Sequence, residues 1–142
     1  MYKYRQYGSR YVLSIDNHEE LVAAVASFCR ERGITVGTVS GIGAVNSATL
    51  RFLNPATKKY VDGVFEEQME IASLVGNISM KGDEVYLHLH ATFGRRDYTC
   101  VGGHLLCARI NGACELVVEK FEGVAPGRVF DPETGLNIYS FD

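Results

Sequence analysis

Val85-Tyr86-Leu87-His88-Leu89-His90-Ala91-Thr92-Phe93 and, across the polar link Gly94-Arg95-Arg96-Asp97, the run Tyr98 to Ile110 carry the strongest β signal in the chain. Side chains alternate across a strand, so Leu87, Leu89 and Phe93 share one face and His88 and His90 share the other. A link this short permits only an antiparallel pair. These two strands therefore set the frame from which the rest of the chain is read.

Moving toward the C-terminus, Asn111-Gly112 reads as a hairpin signal ahead of a strand from Cys114 to Phe121. Beyond Gly123 the tail, with Pro126 and the turn Asp131-Pro132-Glu133-Thr134-Gly135, reads as irregular. Its Phe130, Tyr139 and Phe141 suggest that it packs against something. Toward the N-terminus, Lys81-Gly82-Asp83 is a turn, and Val61 to Ser79 holds one short and one longer strand, the latter centred on Ile71 to Gly76. Ser47 to Leu53 is a further strand, closed by Asn54-Pro55-Ala56-Thr57. In Ile34 to Val45 strand-forming residues surround Gly41 and Gly43, which suggests a bulge or a close backbone approach. No phosphate-loop pattern follows these glycines.

One helix is expected. Leu21, Ala24, Val25, Phe28 and Cys29 follow the i, i+3, i+4, i+7, i+8 spacing of a single buried face. Asn17 with Glu20 three residues on resembles a capping box, Arg30 and Arg32 suit the last turn, and Gly33 can end the helix. Before it, Tyr11 to Ile15 reads as a strand. Six or seven strands with hairpin-length links and one amphipathic helix make an α+β domain with a largely antiparallel or mixed sheet.

Composition narrows the class. The 142 residues suit one domain, taken as residues 1–142, and 46% hydrophobic with 22% charged residues excludes disorder. No apolar run is long enough to span a membrane, and the start MYKYRQYGSR is no secretory signal. Cys29, Cys100, Cys107 and Cys114 show no C-x-x-C spacing, so free thiols in the cytoplasm are expected, with Cys29 in the core. The net charge of −3 lacks the basic excess usual in phosphate-binding domains, and Lys58-Lys59 and Arg95-Arg96 read as solvated surface.

The chemistry concentrates in three of the four histidines, which fall within 17 residues; His18 reads as plain surface. His104 shares a face with His88 and His90 if the link between the strands has an odd number of residues or if Gly102-Gly103 forms a bulge. Three imidazoles converging from one rigid face are a natural ligand set for a divalent metal, zinc first, with nickel, copper and iron compatible. Cys100 or water completes the set. An open zinc position would also suit a metal-dependent enzyme or a small anion. The base candidates Glu70, Glu115 and Asp97 have no spacing that brings them to the histidines, and no H-E-x-x-H motif occurs, so no catalytic residue is assigned.

Ser40-Gly41-Ile42-Gly43-Ala44-Val45, Glu70 to Gly76, His88-Leu89-His90-Ala91 and Gly102-Gly103-His104-Leu105 occur in an order that resembles the plants-and-prokaryotes conserved (PPC) domain, from about Tyr11 to Glu122. The resemblance implies a compact α+β core over about residues 11–122, a homotrimer, and metal binding at His88, His90 and His104. It also implies a DNA-binding or transcription-associated, non-enzymatic role. In plant members an AT-hook precedes the domain; no Arg-Gly-Arg-Pro core occurs in this sequence. Where plant members carry an Arg-Phe-Glu-Ile-Leu-type partner segment, this chain has Gln68-Met69-Glu70-Ile71-Ala72.

Overall fold

A computed structural model describes residues 1–141. Its elements run β1 (Tyr2–Tyr7), β2 (Arg10–Ile15), α1 (Leu21–Arg32), β3 (Gly37–Asn54), β4 (Lys59–Phe65), β5 (Met69–Lys81), β6 (Glu84–Gly94), β7 (Cys100–Lys120), β8 (Gly127–Asp131) and β9 (Leu136–Ser140). The main sheet has the order β1-β2-β7-β6-β5-β3-β4, with every pairing antiparallel. Because β3 also pairs with β7, the ladder β3–β5–β6–β7–β3 closes on itself. Closure removes free edges from its four central strands. The expected α+β architecture with one helix is therefore present.

The core lies between the inner face of this ladder and α1. Leu89, Ala91 and Phe93 of β6, Ile71, Leu74 and Ile78 of β5, and Leu116 and Val118 of β7 are buried in it. Helix α1 inserts Leu21, Ala24, Val25, Phe28 and Cys29, the five residues its spacing predicts. Phe28 is surrounded edge-on by Tyr2, Tyr4 and Tyr11. Burial pushes the Cys29 and Cys114 thiols up to about 12, so both act as small apolar residues.

Local differences from expectation have identifiable causes. The N-cap of α1 is Glu20, whose carboxylate accepts from Val22 N at 3.0 Å and Ala23 N at 2.6 Å. Asn17 cannot take that role. Its side-chain oxygen accepts instead from Gly112 N at 3.0 Å, and His18 at φ 69° breaks the path into a helix. Gly33 ends α1 at φ 60°, as expected.

Asn111-Gly112 is no hairpin. Strand β7 runs through it, with Ile110 opposite Val45 and Cys114 opposite Gly43, so the positive φ of Gly112 serves a bulge within one long strand. A turn motif specifies a local backbone shape, and here β3 continues alongside on both sides of it. Gly41 and Gly43 do mark a close approach: a Cβ at either would collide with the β7 backbone near Glu115 and Ala113. The N-terminal segment, not expected as a strand, pairs with β2 through a turn at Gly8.

The tail beyond Gly123 is also not irregular. It forms the hairpin β8–β9 around the expected turn, in which Asp131 accepts from Glu133 N at 3.0 Å, Thr134 N at 3.1 Å and Thr134 Oγ1 at 2.7 Å. Polar contacts, not the expected Phe130 and Phe141, which are exposed, anchor it on the domain. Arg128 Nε donates to Ser79 Oγ at 2.9 Å, and Lys58 Nζ to Pro132 O at 2.7 Å.

Candidate metal centre

The histidines come together because β6 and β7 pair in a fixed register. His90 lies directly opposite His104, and the ladder continues unbroken to Gly94 opposite Cys100. Residues 95–99 form the link, an odd number, so no bulge at Gly102-Gly103 is needed. Ring centroids are 5.2 Å apart for His88–His90, 5.2 Å for His88–His104 and 5.6 Å for His90–His104. Each ring offers a nitrogen, and no two of these nitrogens are more than 4.8 Å apart. His88 and His104 are half-buried and His90 is exposed.

The donor chemistry fits a divalent transition metal. Zinc with nitrogens at about 2.0–2.1 Å needs them about 3.4 Å apart in a tetrahedron, a spacing that small ring rotations reach from here. Burial, then the charges of His88, His90 and Arg51, pushes His104 down to about 4. Burial, then His90 and Arg128, lowers His88 from its ordinary value. Both imidazoles are therefore neutral near pH 7, the form that ligates a metal.

The other sequence candidates stand elsewhere. Cys100 shares the strand face of His104 but lies four residues along β7, and it is not among the side chains that converge. Its proposed place as fourth ligand is corrected by that distance along the strand. Glu70 faces Gly94 on the ladder, Glu115 lies on β7 opposite Ser14, and the carboxylate of Asp97 accepts from Thr99 Oγ1 at 2.6 Å. No carboxylate among the described residues lines the histidine cavity. Arg95 is not simply solvated, since it pairs with Glu67 at 2.7 Å.

The histidines form part of the wall of a cavity of about 640 Å³. Arg51 is held by both oxygens of Asp62, at 2.7 and 3.1 Å, and its guanidinium lies 4.9 Å from the centre of the Tyr60 ring. Tyr60 in turn lies 5.8 Å from His104. Across the cavity, Arg128 stacks on Tyr139 at 3.8 Å and on Tyr86 at 4.9 Å. Asn77 is opposite His88 on the β5–β6 ladder.

Sequence reading missed these neighbours. Tyr86 was accessible from the same alternation that links His88 and His90. Asn77 and Arg51 needed the registers of β5 and β3, and Arg128 needed the tail hairpin.

Residues 2–122 match the Plants and Prokaryotes Conserved (PCC) domain, which begins nine residues before the resemblance read from motifs and so takes in β1. No curated protein matches the chain. Among solved structures, one from Bacteroides thetaiotaomicron described as a "putative dna binding protein" is 52% identical, with a TM-score of 0.96 over 99% of this chain and 98% of its own. A metal-containing protein from Archaeoglobus fulgidus is 36% identical, with a TM-score of 0.89 over 99% of this chain and 98% of its own. A plant- and prokaryote-conserved protein from Pyrococcus horikoshii shares the fold at 24% identity, with a TM-score of 0.87 over 99% of this chain and 94% of its own.

Proposed function

Since the chain belongs to the Plants and Prokaryotes Conserved domain family, we propose that it is a non-enzymatic binding module that holds one zinc ion on His88, His90 and His104. It acts as a homotrimer in a DNA-associated setting. The observation that carries the metal assignment is the convergence of three ring nitrogens within 4.8 Å on two paired strands. A metal-containing relative of 36% identity supports it. When bound, zinc would cross-link β6 to β7 and leave a fourth coordination position toward the cavity.

The trimer reading rests on an exposed apolar row. Val12 pairs with Val117, Val117 with Ser40, Ser40 with Val75, and Val75 with His90, so these side chains share the outer face of four neighbouring strands and reach the metal ligand on β6. Val12 is 49% exposed, Val75 52% and Val117 40%. A stripe of this kind is more at home against another copy than in water.

The DNA association is suggested by the description of the 52% identical relative. With a net charge of −3, contact through a partner fits better than direct neutralisation of phosphates.

Zinc titration against a chromophoric chelator, with untagged wild type and His88→Ala, tests the assignment. One tight site per chain in the wild type and none in the variant is expected; equal binding by both overturns it. Mobility shift across salt concentrations tests the DNA setting. No retardation by the chain alone, with retardation when a DNA-binding partner is added, is the expected pattern. Strong salt-sensitive retardation by the chain alone would overturn the indirect route.

A further inference from the structure

Among the described residues, one cation in the wall of the cavity above the histidines has no counter-charge. Arg51 is matched by Asp62. Arg128 forms no ion pair among the described residues. It donates only to neutral acceptors, Nε to Ser79 Oγ at 2.9 Å and Nη1 to Asn137 O at 3.2 Å. Its Nη2 is buried and has no hydrogen-bond partner among the described residues.

Arg128 lines the cavity, and a guanidinium there with no counter-charge favours an anion. Stacking on Tyr139 and Tyr86 holds the guanidinium in one orientation, so little freedom would be lost when an anion arrives. With no carboxylate in the wall, the cavity is electropositive even before a metal is added. The remaining wall is mostly apolar, including Phe52, Leu53, Leu136 and Ile138.

We infer that this cavity binds a small organic carboxylate, with its apolar body against Phe52, Leu136 and Ile138 and its charged group between Arg128 and the metal. The inference rests on the zinc reading for one of its two anchors. Arg128 supplies the other independently. The guanidinium favours a carboxylate by its charge, and a neutral amide of the same outline would leave that charge unmet.

Isothermal titration of the zinc-loaded full chain with benzoate, benzamide and acetate tests this, with zinc content measured on the same samples. Benzoate should bind at least about tenfold more tightly than benzamide, through charge, and than acetate, through the apolar wall. Arg128→Met should weaken benzoate by roughly tenfold or more while zinc content stays unchanged. The wild-type comparison of benzoate with benzamide needs no variant, so the test survives if Arg128→Met does not fold. Full zinc occupancy with equal binding of benzoate and benzamide overturns the inference and leaves the metal site standing. Arg128-dependent benzoate binding by a protein that holds no zinc overturns the metal reading and supports the anion pocket.

Discussion

His104 is the residue on which most of the site's physics converges. Its imidazole is half-buried, faces two other imidazoles and feels Arg51, so its pKa falls to about 4 from an ordinary 6.5. The unfolded chain then binds more protons than the native one below pH 6.5, and stability must fall with pH across that window. Thermal melts of the metal-free protein should show a midpoint that is level above about pH 7 and falls between about pH 6.5 and 4. His104→Ala should flatten that slope, since it removes the most displaced group.

Glu20 allows a second prediction at this scale. One carboxylate caps the helix through Val22 and Ala23 and also accepts from Ala108 N at 3.0 Å, tying α1 to β7. Glu20→Ala should cost about 1–2 kcal/mol in denaturant unfolding, more than Asn17→Ala, because it orphans helix-end donors and a strand donor together.

Among the elements, legibility followed locality. Helix α1 was readable to its buried face because its five apolar positions and Gly33 lie within one short segment. In the β6–β7 pair, alternation made the shared face of His88 and His90 readable. The place of His104 stayed conditional, because the link read as Gly94–Asp97 has four residues and the actual link, 95–99, has five. What could not be read were features set by distant partners. Asn17 lost its capping role to Gly112, 95 positions away, and Asn111-Gly112 lost its hairpin to β3 running alongside. The β8–β9 hairpin was hidden for the same reason, since its strands are held against β5 by Arg128 on Ser79.

The close approach at Gly41 and Gly43 was legible as a pattern, and its partner was not. Gly41→Ala would press a methyl group into the backbone of β7 at Glu115. Such overpacking should destabilise by about 1–3 kcal/mol. Gly82→Ala, in an open turn with nothing near the added carbon, should cost less, only the strain of its φ of 59°. Chemical denaturation of the two variants side by side reads the difference.

At the scale of the molecule, the closed ladder places the two surfaces proposed above, for assembly and for ligand, next to each other. The apolar row from Val12 to Val75 ends at His90, and the cavity opens on the face that carries His88 and His104. Val117→Glu should convert the proposed trimer to monomers in light-scattering chromatography while leaving the far-ultraviolet spectrum unchanged. A trimer that persists in this variant would place the interface elsewhere.

The metal at the junction of the two surfaces remains the claim with the widest consequences. X-ray absorption at the zinc edge of untagged, zinc-loaded protein reads its ligands directly. Three imidazole nitrogens at about 2.0–2.1 Å, with a light fourth atom and no sulfur, is the predicted result. A sulfur shell at about 2.3 Å, or fewer than three imidazoles, would contradict the account.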